Sequence, residues 1–76
     1  MTIGKAIRIV RSIRGLSQKQ LAERVNCDHS YISLLESGKR EPSWATLNQI
    51  SASLQITTAR LVDIAAASED ALLGVD

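Results

Sequence analysis

Three features of this 76-residue sequence predict an all-α fold, a compact bundle of five short helices. Apolar residues recur at the three- and four-residue spacing of a helix face along most of its length. A capping residue stands before each apolar run: Thr2, Ser17, Asp28, Ser43, and Thr57 or Thr58. Aromatic residues make up only 3% of the chain against 45% hydrophobic overall, so the core has to be built from Ile, Leu, Val and Ala.

The first helix carries Ile3, Ile7, Val10 and either Ile13 or Arg14 on its inward face, with Thr2 as its cap and Gly15 as its stop. The second starts at Ser17, where Gln20 three residues later completes a capping box; its inward residues are Leu21, Ala22 and Val25. Asn26 then tolerates the left-handed backbone that a sharp turn needs. Asp28 caps a third helix that points Ile32 and Leu35 inward and ends at Gly38. After the loop Lys39-Arg40-Glu41-Pro42, Ser43 caps a fourth helix with Leu47, Ile50 and Leu54 on one face. The fifth helix carries Leu61, Ile64 and Ala65. The bundle is expected over residues 1–67, and residues 68–76 form a weakly periodic, frayed tail.

Composition narrows the classes further. One cysteine, Cys27, cannot form an internal disulfide, so a reducing, cytoplasmic setting is expected. No apolar run approaches the ~20 residues of a membrane helix, and the charged N-terminus is unlike a signal peptide. Cys27 and His29 have no further histidine or cysteine to complete a metal site and no third member for nucleophilic catalysis. No enzyme activity, cofactor, metal or small-molecule ligand is therefore expected, nor is a sensory domain expected within these 76 residues. The net charge of +1 hides an asymmetry, because residues 1–40 carry +5 and residues 41–76 carry −4. Such a split fits one half that faces a polyanion and one that faces elsewhere.

The register of the second and third helices is the most specific signal. Counting from Gln18, the small residue that close helix crossing needs is Ala22, at position five. The turn residue Asn26 is ninth and the buried branched residue Ile32 fifteenth. A bulky side chain at Ala22 would push the helices apart, and a charge at Ile32 would be buried without a partner. With Leu16-Ser17-Gln18, Leu21-Ala22, Tyr31-Ile32-Ser33, Leu35-Glu36, Gly38-Lys39-Arg40 and Pro42-Ser43, this register resembles the phage-repressor-like (Cro/Xre-type) helix-turn-helix domains. The resemblance runs from about Ile3 to Leu61. The chain departs from the family's habit at Asn26, usually Gly, at Leu34, often a long polar residue, and at Trp44, usually Leu. A looser core position is expected to absorb Trp44.

The resemblance implies a five-helix bundle that binds double-stranded DNA, usually as a symmetric dimer. It places His29, Ser30, Ser33 and Leu34 at base edges in the major groove, where hydroxyls and an imidazole donate or accept and a leucine meets a thymine methyl. It places Gln18 at a phosphate, and it pairs Arg11 with Glu36 to hold the third helix. Lys39 and Arg40, following that helix, are expected at phosphates, as are Ser43 at the start of the fourth helix and, more weakly, Lys19. One helix reading roughly four base pairs cannot single out a genomic site, so a homodimer on a palindromic operator is expected. Its interface is expected on Leu61, Val62, Ile64 and Ala65 of the fifth helix with Leu72 and Leu73 of the tail. The expected function is transcriptional regulation. The alternatives are an antitoxin or protein-interaction adaptor, or a restriction-modification controller.

Overall fold

The computed structural model describes the backbone of residues 2–73 and the side chains of residues 2–67. Five helices follow one another: α1 (Ile3–Ile13), α2 (Gln18–Arg24), α3 (His29–Glu36), α4 (Trp44–Ser53) and α5 (Thr58–Leu73). There is no strand among the described residues, and no helix there is long and apolar enough to cross a membrane.

The starts of the helices follow the capping residues. The Thr2 hydroxyl accepts from the Lys5 N–H at 3.2 Å, and the Ser43 hydroxyl from the Thr46 N–H at 3.2 Å. At Ser17 the box is reciprocal: its hydroxyl accepts from the Gln20 N–H at 3.0 Å while the Gln20 amide oxygen accepts from the Ser17 N–H at 2.8 Å. Thr57 is the cap of α5, accepting from the Arg60 N–H at 3.1 Å, whereas Thr58 donates to Asn48 Oδ1 and ties α5 to α4. Asp28 departs from expectation. It stands at the N-cap position and its carbonyl accepts from the Tyr31 N–H, but its carboxylate makes no capping bond. Its contribution is confined to placing a negative charge beside the positive end of α3.

The first four helices end in the same way. In each, the residue after the C-cap takes a left-handed backbone: Gly15, Asn26, Gly38 and Gln55. In each, the next N–H reaches back to a carbonyl five residues earlier, as Leu16 does to Arg11, Cys27 to Ala22, Lys39 to Leu34 and Ile56 to Ser51. These paired backbone bonds satisfy carbonyls that would otherwise be orphaned. Gln55 was not legible as such a residue, because glutamine has no preference for that conformation. α5 continues in backbone terms to Leu73, beyond the point where weak periodicity predicts fraying.

The core is aliphatic. Ala6, Ile7 and Val10 of α1, Leu21 and Ala22 of α2, Ile32 and Leu35 of α3, Leu47 and Ile50 of α4, Leu54 at its C-cap, and Leu61 and Ala65 of α5 form one cluster. Here the alternative at the end of α1 resolves to Arg14, and the expectation for Trp44 fails. Ile13 is 73% exposed, because the inward face of α1 ends at Val10; Arg14 instead turns toward the end of α4 and donates to the Leu54 and Gln55 carbonyls. Trp44 is 68% exposed, because it opens α4 at the edge of the bundle, where no core position needs filling. Gly4 is required by close packing of α1 on α3: a Cβ there would collide with the Leu35 carbonyl oxygen.

Candidate nucleic-acid interface

α2 and α3 are joined by a turn at Val25–Asp28, in which Asn26 has φ +57°. Ala22 and Ile32 are both buried, so the two helices close on each other at the small residue and bury the branched one. This orients one face of α3 inward and leaves the other in solvent.

A line of polar contacts holds α3 from behind. Arg11 of α1 grips Glu36 with two bonds, Nε to Oε2 at 2.7 Å and Nη2 to Oε1 at 3.0 Å, and its Nη1 donates to the Leu16 carbonyl at 2.7 Å. Glu36 is only 7% exposed, so this is a nearly buried, bidentate pair of the kind that keeps its geometry. Glu36 Oε1 also accepts from Gln18 Nε2 at 3.0 Å, and Gln18 Oε1 lies 2.9 Å from His29 Nε2. α1, both ends of α3 and the start of α2 are thereby connected through four side chains.

The outward side of α3 presents His29, Ser30 and Ser33 to solvent, and Leu34 is half-buried beside them. Ser37 donates to the Leu34 carbonyl, as do the N–H groups of Lys39 and Arg40, so the loop folds back on the end of the helix. Lys19, Lys39, Arg40 and Ser43 are exposed and Gln18 is half-buried. The Arg40 guanidinium stands 5.8 Å from the centre of the Tyr31 ring, within cation–π range, which steadies it next to α3. The Ser43 hydroxyl is engaged with Thr46 through both its oxygen and its hydrogen. Cys27 is half-buried, and burial, reinforced by the Asp28 charge, pushes its thiol up, so it stays protonated at neutral pH and is a poor nucleophile.

The model of the family described as helix-turn-helix matches residues 7–61, most of the chain and all of α2, the turn and α3. The chain belongs to the Cro/C1-type helix-turn-helix family. Over 62 residues it is 37% identical to the immunity repressor protein of Bacillus phage phi105, covering 82% of this chain but only 43% of that one, so it spans less than half of that relative's length. Among solved structures, the clp gene regulator ClgR from C. glutamicum superposes with a TM-score of 0.83 at 32% identity, over 87% of this chain and 86% of that one. The master regulator for biofilm formation SinR, solved in complex with DNA, matches with a TM-score of 0.75 at 32% identity, over 80% of this chain and 98% of that one.

Within this helix-turn-helix, the expected Arg11–Glu36 pair is present and His29, Ser30 and Ser33 share the outward side of α3. Among the described residues, the expected apolar patch on α5 is smaller than the sequence implies. Leu61 is fully buried and Ala65 nearly so, because the monomer's own core consumes them; Val62 remains exposed and Ile64 half-buried. Leu72 and Leu73 lie outside the residues whose side chains are described. The Gln18 contacts to both Glu36 and His29 were missed. The available signal was positional: Gln18 and His29 each open one of the two helices of the motif.

Proposed function

We propose that this chain is a sequence-specific, double-stranded-DNA-binding transcriptional regulator that reads the major groove with α3, as a homodimer on a palindromic operator. The observation that carries this reading is the solvent-facing side of α3, short polar side chains on a helix clamped by Arg11, Glu36 and Gln18. A rigid helix with hydroxyls and an imidazole outward suits base edges, because direct readout needs donors and acceptors held at fixed positions. His29, Ser30, Ser33 and Leu34 are assigned to bases. Gln18, Lys19, Lys39, Arg40 and Ser43 are assigned to phosphates, which position the helix without specifying sequence. Similarity to a phage immunity repressor and to a regulator solved on DNA supports the same reading.

In-vitro selection from random duplex DNA tests it. The expected result is an enriched, two-fold symmetric motif with half-sites about one helical turn apart. Affinity for that motif should fall about a thousandfold or more between roughly 50 and 200 mM salt. Failure to enrich any motif at moderate salt removes the proposal.

A further inference from the structure

His29 is the one histidine of the chain and stands at the solvent end of the polar line behind α3. That line has a direction. Glu36, accepting from Arg11 at both oxygens, is a carboxylate and can only accept. The Gln18 atom 3.0 Å from Glu36 Oε1 is therefore the amide nitrogen, and the oxygen of the same amide faces His29. An amide oxygen also only accepts, so the hydrogen in the 2.9 Å contact belongs to His29 Nε2. Nδ1 is left as the ring nitrogen with no hydrogen bond to another described residue.

We propose that Nδ1 of His29 is a base-reading atom whose polarity depends on pH, an inference that rests on α3 entering the major groove. With the ring neutral, Nδ1 is an acceptor and suits the exocyclic amine of adenine or cytosine. With the ring protonated, Nδ1 becomes a donor and suits guanine, which presents two acceptors in the major groove. Gln18 keeps the Nε2 hydrogen in both states, so protonation alters only the atom turned away from the network. The charged groups that adjoin His29 and its partner Gln18 are Asp28, immediately before His29 in the chain, Lys19, next to Gln18 on α2, and the Arg11–Glu36 pair bonded to Gln18, which joins α1 to the far end of α3.

Selection of bound DNA at about pH 5.5 and about pH 8 spans the range in which histidine side chains change charge. One position in each half-site should change from adenine or cytosine at the higher pH to guanine at the lower. The relative affinity of the two sequences should change about tenfold, the scale of one hydrogen bond gained or lost. His29→Gln should still enrich a motif but one that no longer varies with pH. In the free protein at high pH, the ring-nitrogen NMR shifts should report hydrogen on Nε2, and with one histidine the signal is unambiguous. The same motif at both pH values overturns the proposal while leaving DNA reading by α3 intact; a pH-dependent base that persists in His29→Gln, or hydrogen on Nδ1 of the neutral ring, also overturns it. No motif at either pH removes both readings.

Discussion

Glu36 accepts hydrogen bonds from two side chains while almost wholly removed from water, and each of its partners sits on a different helix. Removing one member of such a pair leaves a desolvated charge behind, which costs more than the pair itself contributes. Glu36→Ala should therefore lower stability by about 3 kcal/mol, far beyond the few tenths expected of an exposed substitution. Chemical denaturation measures it, and a midpoint equal to wild type would refute the role. The exposed residues separate by a different criterion. Ser30→Ala should change which operator sequence is preferred, whereas Lys39→Ala should weaken all sequences nearly equally and flatten the salt dependence by about one ion per protomer, two for the bound dimer. Competition binding against a panel of operator variants distinguishes the two patterns; if Lys39→Ala altered preference at one base, its assignment to a phosphate would be wrong.

At the scale of the helices, what is local is legible. Thr2, Ser17 and Ser43 act through N–H groups three residues away, and Asn26 acts on its own backbone, so short-range pattern suffices to find them. What depends on another element is not. Gly4 reads as an unremarkable first-turn residue until α3 is laid against it, and Gln18 and His29 are eleven residues apart. Trp44 and Leu61 are both apolar residues on helices, and only the assembled packing decides that the first faces water and the second fills the core. Two substitutions probe these junctions. Gly4→Ala forces α1 away from the Leu35 carbonyl and should destabilise by roughly 2 kcal/mol, the overpacking range, despite alanine's better helix propensity. Gln55→Gly should stabilise by about 0.5 kcal/mol, since relief of left-handed strain exceeds the added entropy of the unfolded chain. Thermal unfolding reads both, and the opposite sign at either would contradict the packing or the helix end described.

For the whole molecule, the question is how one short α3 gains enough selectivity. Doubling the reader across a two-fold axis does so, and it requires a self-complementary patch. With Leu61 and Ala65 spent on the core, Val62 and Trp44 are exposed apolar residues that line one open groove together with Ile3 and Pro42. We propose that the two-fold contact of the expected dimer uses this groove at the junction of α4 and α5, which would give the exposed tryptophan a use. Val62 is 36% exposed, so Val62→Asp should cost the monomer only about 1 kcal/mol and leave it folded. In a two-fold contact the two carboxylates would be desolvated without partners, and association should weaken at least tenfold. Binding to an isolated half-site should be unchanged, while binding to the full palindrome should fall by at least the same factor, because the second α3 would no longer arrive as part of one unit. Sedimentation and operator titration together decide it. An unchanged mass with unchanged palindrome affinity would move the two-fold axis away from Val62, and loss of half-site binding would mean that the substitution had disturbed α3 itself.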